Sequence, residues 1–314
     1  MILKYFKIIC LILLVLGGFS FIYFHFRGEK KPMVVVIPSY NNIRYFQENL
    51  DSVLSQSNAN YRIIYIDDAS NDGMCELLDL YLREKKVDFI SHSFKSDIAE
   101  TIPEVTEKFK NLVNAEKHFF TLVRNVKRTG ALANIYRAVL SLDDSEIVVL
   151  VDGDDRLADS KVLSRVNAAY SAKNEIWMTH GTLMEHPSGY ANWCEPIPEE
   201  IINKNAFREF KCPSHLRTFY AALFKKIDLQ DLLYKGDFFQ MTWDMAIMYP
   251  MCEMSGKKHG FLKKINYLYN MANNINDNKV DPKLQNDLDD LIRNMPRYQP
   301  LEQLDVLIKS KRDR

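Results

Sequence analysis

The chain has 314 residues, of which 47% are hydrophobic and 26% are charged, so its composition is that of a globular protein rather than a disordered one. Lysine plus arginine and aspartate plus glutamate both number 41. The resulting formal net charge of zero argues against a nucleic-acid-binding protein, because such proteins usually carry a basic excess. The five cysteines are odd in number and lack Cys-x-x-Cys spacing, which argues against a disulfide framework and against a structural zinc site.

An apolar segment over residues 8–24 has lysines before it and basic residues after it. Its length approaches the roughly 20 residues that span a bilayer, which predicts a single-pass membrane anchor over residues 1–31. A cleaved signal peptide is the competing interpretation, but its apolar core has only ~7–15 residues, and no small-x-small cleavage site follows here. The slight basic excess after the segment favours a cytoplasmic location for the rest of the chain. The sequence leaves undecided on which side of the membrane that part lies.

Short β-branched segments then alternate with amphipathic helical patterns. The sequence predicts strands over residues 33–37, 61–66, 119–123, 147–151 and 175–184, and a further strand over residues 216–220 on the acceptor side. Residues 87–117 interrupt this rhythm, and we expect an insertion there that contains one helix. The alternation is typical of βαβ units with right-handed crossovers, so the carboxyl ends of the strands meet at one edge of a parallel sheet.

The most informative segment is the apolar strand at residues 147–151 with the acidic sequence Asp152-Gly153-Asp154-Asp155 directly after it. A buried unpaired carboxylate is very costly, so these charges must lie at the end of the strand, where open α/β sheets bind their ligands. Closely spaced carboxylates suit a Mn²⁺ or Mg²⁺ ion that carries phosphates. The alternative is an acidic turn without a ligand.

Polar turns also follow the first two strands, at residues 38–42 and 67–73, on the same predicted edge. A dinucleotide-binding dehydrogenase needs Gly-x-Gly-x-x-Gly after its first strand, and the turn at residues 38–42 contains no glycine. The chain also lacks a Gly-x-x-x-x-Gly-Lys phosphate loop. The three polar strand ends therefore predict a nucleotide site of a different kind.

Taken together, these segments resemble the family 2 glycosyltransferases, enzymes with the GT-A fold. The resemblance rests on VVVIPSYN at residues 34–41, YIDDASNDG at 65–73 and the Asp-x-Asp sequence in DGDD at 152–155, and it covers roughly residues 33–270. It implies an α/β fold with a mixed, mostly parallel sheet flanked by helices. One departure lies at residues 124–130, where the family more often has a compact Asn-x-Gly turn.

The resemblance also implies a domain organisation. A glycosyltransferase domain would occupy residues 32–275, with a nucleotide-binding half at 32–158 and an acceptor half at 159–275. A C-terminal helical extension would follow at residues 276–314, because leucines recur there at helical spacing.

Several residues in the nucleotide half receive roles from the resemblance alone. Pro38, Ser39 and Tyr40 would line the nucleotide pocket. Asp67 or Asp68 would accept a hydrogen bond from the base, although a helix-capping carboxylate is the alternative for Asp67. Arg128 would lie near the base or the phosphates, or else be a solvated side chain.

The metal ligands follow from the same resemblance. Asp154 would ligate a Mn²⁺ or Mg²⁺ ion that bridges the diphosphate oxygens, and Asp152 would contact the ribose or the ion. Such an ion would stabilise the charge that develops on a departing nucleoside diphosphate. His259 is a further candidate ligand, whereas His180 is better explained as a structural histidine.

An inverting transfer needs a carboxylate that takes the proton of the acceptor hydroxyl. Asp244 fits, because an apolar helical stretch follows it and an aromatic residue precedes it, and the resemblance points at the same position. A first-turn aspartate favoured by the helix dipole is the alternative, and Asp237 is the fallback base. The candidate acceptor contacts are Trp243, Arg217 and Trp193, with Arg217 expected to pair with Asp244 or with phosphate.

The sequence thus predicts a membrane-anchored, metal-dependent, inverting glycosyltransferase of the hexosyltransferase type. Its expected donor is a nucleotide sugar, with UDP as the favoured nucleotide, and its acceptor is a glycan, a lipid or a protein. No nucleic-acid partner is expected. A catalytically silent relative that only binds the nucleotide sugar is one alternative, and a nucleotidyltransferase is another, although the Gly-rich loop typical of the latter is absent.

Overall fold

The computed structural model describes residues 30–97, 99–116, 118–172, 175–191, 194–211, 213–273 and 281–305. The apolar segment of the predicted membrane anchor, residues 8–24, lies outside the described residues, so the anchor stays a prediction. No helix within the described ranges is both long enough and apolar enough to cross a bilayer.

The described chain alternates strands and helices. The strands are β1 (Pro32–Ser39), β2 (Asn60–Asp67), β3 (Phe89–Phe94), β4 (Phe120–Asn125), β5 (Ile147–Leu150), β6 (Arg156–Leu157), β7 (Met178–His186), β8 (Arg217–Tyr220), β9 (Leu233–Tyr234), β10 (Asp237–Phe238) and β11 (His259–Asn270). The α-helices are α1 (Phe46–Leu54), α2 (Met74–Glu84), α3 (Ile102–Asn114), α4 (Ala131–Leu140), α5 (Val162–Tyr170), α6 (Glu199–Asn203), α7 (Ala221–Phe224), α8 (Trp243–Ser255) and α9 (Pro282–Arg293). Short 3₁₀ helices span Phe207–Glu209, Leu229–Leu232 and Gly256–Lys258.

Within the described ranges, nine strands form one sheet in the order β3-β4-β2-β1-β5-β8-β7-β11-β6. The strands from β3 to β5 are parallel, and β7 is parallel to β11. Strand β8 runs antiparallel between β5 and β7, and β6 is antiparallel to β11. The predicted mixed, mostly parallel α/β sheet is therefore confirmed.

The centre of the sheet is apolar on both faces, as expected for parallel strands covered by helices. Val35 of β1 pairs with Ile63 of β2 and with Val149 of β5, and all three side chains are fully buried. In this register Ser39 lies beside Asp67. Because the three strands run in the same direction, the polar sequences after β1, β2 and β5 leave the sheet at one edge.

Among the strands of six or more residues in the described ranges, two have no counterpart in the sequence prediction. β3 is a half-exposed edge strand whose sequence, FISHSF, alternates apolar and polar residues too weakly to stand out from the insertion. β11 is interrupted by two lysines, and its register with β7 shifts between Leu262 and Ile265 and again before Tyr267. The helix expected within the insertion is present as α3.

Candidate active site

A cleft of about 940 Å³ opens at the carboxyl-end edge of the central strands. Its walls include the turns after β1 and β5, the loop after β4, the first turn of α8 and one face of α9. The predicted site residues that line it are Pro38, Ser39, Tyr40, Asp68, Arg128, Asp152, Asp154, Arg217, Trp243 and Asp244. Trp193, a predicted acceptor contact, lies outside the described residues.

The two aspartates that end β2 differ in their surroundings. Asp67 accepts hydrogen bonds from the hydroxyl of Ser70 and from Cys75 Sγ at 2.6 Å, and it is not part of the cleft wall. Asp68 lines the cleft and accepts hydrogen bonds from the backbone N–H groups of Thr129 at 2.9 Å and Gly130 at 2.8 Å. Asp68 therefore holds the loop after β4 against the end of β2. The predicted contact of either residue with a base stays a prediction.

The same loop carries Arg128, which the resemblance assigned to the base or the phosphates. Its guanidinium lies 4.0 Å from the centroid of the Tyr40 ring, which is a cation–π arrangement. The planar guanidinium stacked on the ring is a charged, flat surface of the kind that stacks with a planar base. The loop after β4 and the turn after β1 thus form one side of the nucleotide half of the cleft.

Gly153 allows the acidic segment to pass close to the end of β1. A Cβ atom at this position would lie 2.5 Å from Ser39 Cβ and 2.9 Å from Asn42 Nδ2, distances that require the neighbours to move. The Gly153 N–H donates to Pro38 O at 3.1 Å. The glycine in the acidic sequence is therefore required by close packing against β1.

Each acidic side chain of this segment has a different environment. Asn273 Nδ2 donates to Asp154 Oδ2 at 2.7 Å, and the Asn270 N–H donates to Asp155 Oδ1 at 2.6 Å. Burial raises the pKa of Asp154 to about 6, and the charge of Asp152 adds to this effect. Burial and the neighbouring charges of Asp154 and Asp152 raise the pKa of Asp155 well above its ordinary value. The segment therefore concentrates negative charge that a cation would neutralise.

His215 is the site residue that the sequence analysis missed. Its Nε2 atom lies 3.1 Å from Asp152 Oδ2, and its ring stacks on Tyr267 with centroids 4.3 Å apart. Burial and the charge of Arg217 lower the pKa of His215, so the imidazole is neutral near pH 7. Burial opposes ionisation of Asp152, but the hydrogen bond with His215, the charge of Arg217 and the Tyr267 hydroxyl together lower the pKa of Asp152 below its ordinary value. No motif around His215 signals this role, because it precedes the short strand β8 as an isolated histidine.

Among the described residues, Asp152, Asp155 and His215 each place one ligand atom within 4.8 Å of the others. Asp155 is 1% exposed, and its Oδ2 atom forms no hydrogen bond of normal geometry with a described residue, although the Tyr267 hydroxyl interacts with the carboxylate. Two neighbouring carboxylates and an imidazole nitrogen are a donor set that fits a divalent cation such as Mn²⁺. Asp154 lines the cleft next to this cluster, and its predicted role as a ligand stays a prediction. His259 is not part of the cluster, and its Nδ1 atom lies 3.0 Å from Gly256 O.

The first turn of α8 presents Asp244 to the cleft. Arg217 Nη2 donates to Asp244 Oδ2 at 2.7 Å, which is one of the two pairings expected from the sequence. Thr242, directly before the helix, has φ 55°, a left-handed conformation that is rare for a β-branched residue and is typical of functional sites. Asp244 is 30% exposed in its side chain, whereas Arg217 is buried. An accessible carboxylate therefore faces the cleft from a rigid position.

The comparisons with known proteins bear on this geometry. Residues 34–102 match the family model Glycosyl transferase family 2. The match covers β1 to β3 and ends before the acidic segment, so it supports the sequence resemblance over residues 34–102.

Two curated relatives are glycosyltransferases. One, an uncharacterized glycosyltransferase of Rickettsia felis, is 40% identical over 53 residues, which are 17% of this chain and 9% of that protein. The other, the glycosyltransferase GlyG of Streptococcus pneumoniae, is 20% identical over 249 residues, which cover 71% of this chain and 78% of GlyG. The chain matches less than a tenth of the length of the glycosyltransferase relatives from Rickettsia felis and Rickettsia bellii.

Among solved structures, S. aureus TarS residues 1–349 in complex with UDP-GlcNAc is similar with a TM-score of 0.50 and 16% sequence identity. The similarity covers 83% of this chain and 65% of that one. At this level of identity the likeness concerns the fold, and it agrees with the predicted GT-A architecture.

Proposed function

We propose that this protein transfers a sugar from a nucleotide-sugar donor to an acceptor hydroxyl, with inversion at the anomeric carbon. The observation that carries the proposal is one cleft that brings together the cluster of Asp152, Asp155 and His215 and, through Arg217, the carboxylate of Asp244. A cation site and a candidate base at the same sheet edge are what an inverting transfer needs. The match of residues 34–102 to family 2 supports the same activity.

The donor would lie across the carboxyl ends of β1, β2 and β5. Tyr40 and Arg128 offer a flat, charged surface for the base. Asp152, Asp155 and His215 would hold Mn²⁺ or Mg²⁺, with Asp154 as the adjacent ligand expected from the sequence. When bound, the ion would supply positive charge to the leaving diphosphate. UDP is the favoured nucleotide and a hexose the favoured sugar.

Asp244 is the proposed general base. Its carboxylate would take the proton of the acceptor hydroxyl while the hydroxyl oxygen forms a bond with the anomeric carbon. The bond between that carbon and the diphosphate oxygen breaks on the opposite face, and the electron pair leaves with the nucleoside diphosphate. Arg217 fixes the orientation of the carboxylate through the 2.7 Å hydrogen bond. The N-terminal segment is proposed to anchor this domain to a membrane, with a cytoplasmic orientation favoured.

A panel of nucleotide sugars tests this proposal. The purified full-length chain is incubated with each UDP-, GDP- and TDP-sugar, and release of the nucleoside diphosphate is measured with Mn²⁺ and with EDTA. We expect hydrolysis of at least one donor with Mn²⁺ and its loss in EDTA, because transferases slowly hydrolyse their own donor. Absence of hydrolysis and of binding for every donor would contradict the proposal, whereas binding without hydrolysis or transfer would favour a silent relative.

A further inference from the structure

Helix α9 forms a wall of the cleft, although the sequence places it in an extension outside the catalytic domain. Gln285, Asp289 and Arg293 recur every four residues and line the cleft along one face of the helix. Leu288 and Ile292, three residues after Gln285 and Asp289, lie on the neighbouring stripe of the helix and are buried in the core. The helix therefore presents a continuous polar face to the cleft.

A buried ion pair fixes this wall relative to the proposed base. Arg208 Nε donates to Glu253 Oε1 at 2.6 Å, and both side chains are almost fully buried. Arg208 Nη1 also donates to the backbone carbonyl of Ile292 in α9 at 2.6 Å. Since Glu253 belongs to α8, the helix that carries Asp244 in its first turn, α8 and α9 are held together. The polar face of α9 thus has a fixed position with respect to Asp244.

Building on the proposed function, we infer that this face of α9 binds the acceptor, and that the acceptor is a neutral, hydroxyl-rich glycan. Gln285, Asp289 and Arg293 supply an amide, a carboxylate and a guanidinium, which together donate to and accept from sugar hydroxyls. Phe210 lies beside this face, since Arg293 Nη1 donates to its backbone carbonyl at 2.9 Å, and Tyr190 also lines the cleft. Aromatic rings of this kind pack against the C–H faces of sugar rings.

The charges on this side of the cleft disfavour an acceptor that carries phosphate. Three cations of the described residues line it, and each lies against a carboxylate. Lys211 lies 3.4 Å from Glu195, Arg217 is paired with Asp244, and Arg293 forms an ion pair with Asp289. A phosphate would therefore have to displace a carboxylate from its partner. A neutral glycan can bond to both members of each pair without breaking the ion pair.

Acceptor kinetics test the inference. The full-length chain is assayed with Mn²⁺ and the donor that it hydrolyses, against neutral oligosaccharides of the cello, chito, manno and lacto series. Polyprenyl phosphate and glycerol phosphate are the charged probes. We expect transfer to at least one neutral series, and Gln285→Ala to raise the acceptor KM about tenfold, the loss of one or two hydrogen bonds. Donor KM and donor hydrolysis should not change.

Asn286→Ala, an exposed neighbour on the same helix, is the matched control and should leave the acceptor KM unchanged. Asp289→Asn, which keeps the side-chain size, should repeat the effect of Gln285→Ala. The inference would be overturned if the protein transferred sugar only to the phosphate probes, or to none of the neutral series. It would also be overturned if Gln285→Ala and Asp289→Asn had the same acceptor KM as the control variant. In those cases donor hydrolysis still supports the proposed function. Absence of donor hydrolysis and donor binding would instead overturn both.

Discussion

Arg217 connects the proposed base to the proposed cation site through a single guanidinium. Its Nη2 atom lies 2.7 Å from Asp244 Oδ2, and its Nη1 atom lies 2.8 Å from His215 Nε2. A planar guanidinium holds two partners at fixed angles, whereas the ammonium of lysine cannot. The geometry of the base and that of the cation site therefore depend on the same side chain.

Replacing this guanidinium should slow the reaction and also weaken donor binding. Arg217→Lys should lower kcat about a hundredfold, because a misplacement of the base by about 1 Å has that cost. The donor KM should rise as well, because His215 of the proposed cation site loses its guanidinium partner. Arg156→Lys, which alters an ion pair with Glu48 outside the cleft wall, is the control. An unchanged kcat for Arg217→Lys would show that Arg217 does not position Asp244.

Asp244→Asn should abolish transfer while leaving the fold and nucleotide binding intact. Loss of a general base typically costs about 10²–10⁴-fold in rate, and the amide cannot accept the hydroxyl proton. Initial rates of transfer and calorimetric binding of UDP measure the two effects separately. Asp237→Asn, a change at the exposed strand β10, tests the fallback base and should retain the wild-type rate. If Asp237→Asn is inactive and Asp244→Asn is active, the assignment is reversed.

The positions of Ser39, Tyr40, Asp68, Asp152 and Asp154 along one cleft can be predicted from the sequence. Apolar runs identify the parallel strands, and a carboxylate that follows such a run must leave the sheet at its end. The edge of the sheet at which these residues lie therefore follows from local patterns, whereas their roles in nucleotide binding come from the resemblance and stay predictions.

The position of His215 cannot be predicted in this way. It approaches Asp152 because β8 pairs antiparallel with β5, so that Arg217 lies opposite Leu150. That pairing joins segments more than 60 residues apart in the sequence. With only four residues, β8 is too short for its sequence pattern to predict which strand it pairs with. The same holds for α9, whose amphipathic pattern predicts a helix but not the surface against which it packs.

The buried histidine His180 predicts an acid dependence of stability. Burial lowers the pKa of His180 to about 4, while an unfolded histidine has a pKa of ~6.5. Between these values the unfolded chain binds a proton that the folded protein does not, so the free energy of unfolding falls as the pH is lowered. The full loss is about 3 kcal/mol below pH ~4, and nothing is lost above pH ~6.5.

Urea unfolding across that range of pH measures this contribution. His180→Gln should show a shallower fall than the wild type, because glutamine does not titrate and can still donate to the Glu195 carbonyl, which lies 3.2 Å from His180 Nε2. His118→Gln, a change at an accessible histidine, is the control and should not flatten the acid limb. Parallel curves for the wild type and His180→Gln would contradict the prediction.

Among the ion pairs of the described residues, the Arg208–Glu253 pair should cause the largest loss of unfolding free energy when one partner is truncated. Arg208→Met leaves the Glu253 carboxylate buried without its cation, which costs about 3–5 kcal/mol of unfolding free energy. Lys204→Met removes the exposed pair with Glu200 and should cost less than about 1 kcal/mol. Urea unfolding compares the two variants. Equal losses would mean that α8 and α9 are not held together by this contact.

Calorimetric titration of UDP, with GDP in parallel, tests the cation-dependent donor site most directly. With Mn²⁺ present, we expect one nucleotide to bind the wild-type chain, and EDTA to abolish that binding. His215→Gln and Asp152→Asn should each weaken it by about 10–100-fold, as expected when a metal ligand or its close partner is lost. The proposal of a cation-dependent donor site would be contradicted if either nucleotide bound the wild-type chain equally well in Mn²⁺ and in EDTA, and if both variants bound it with that same affinity.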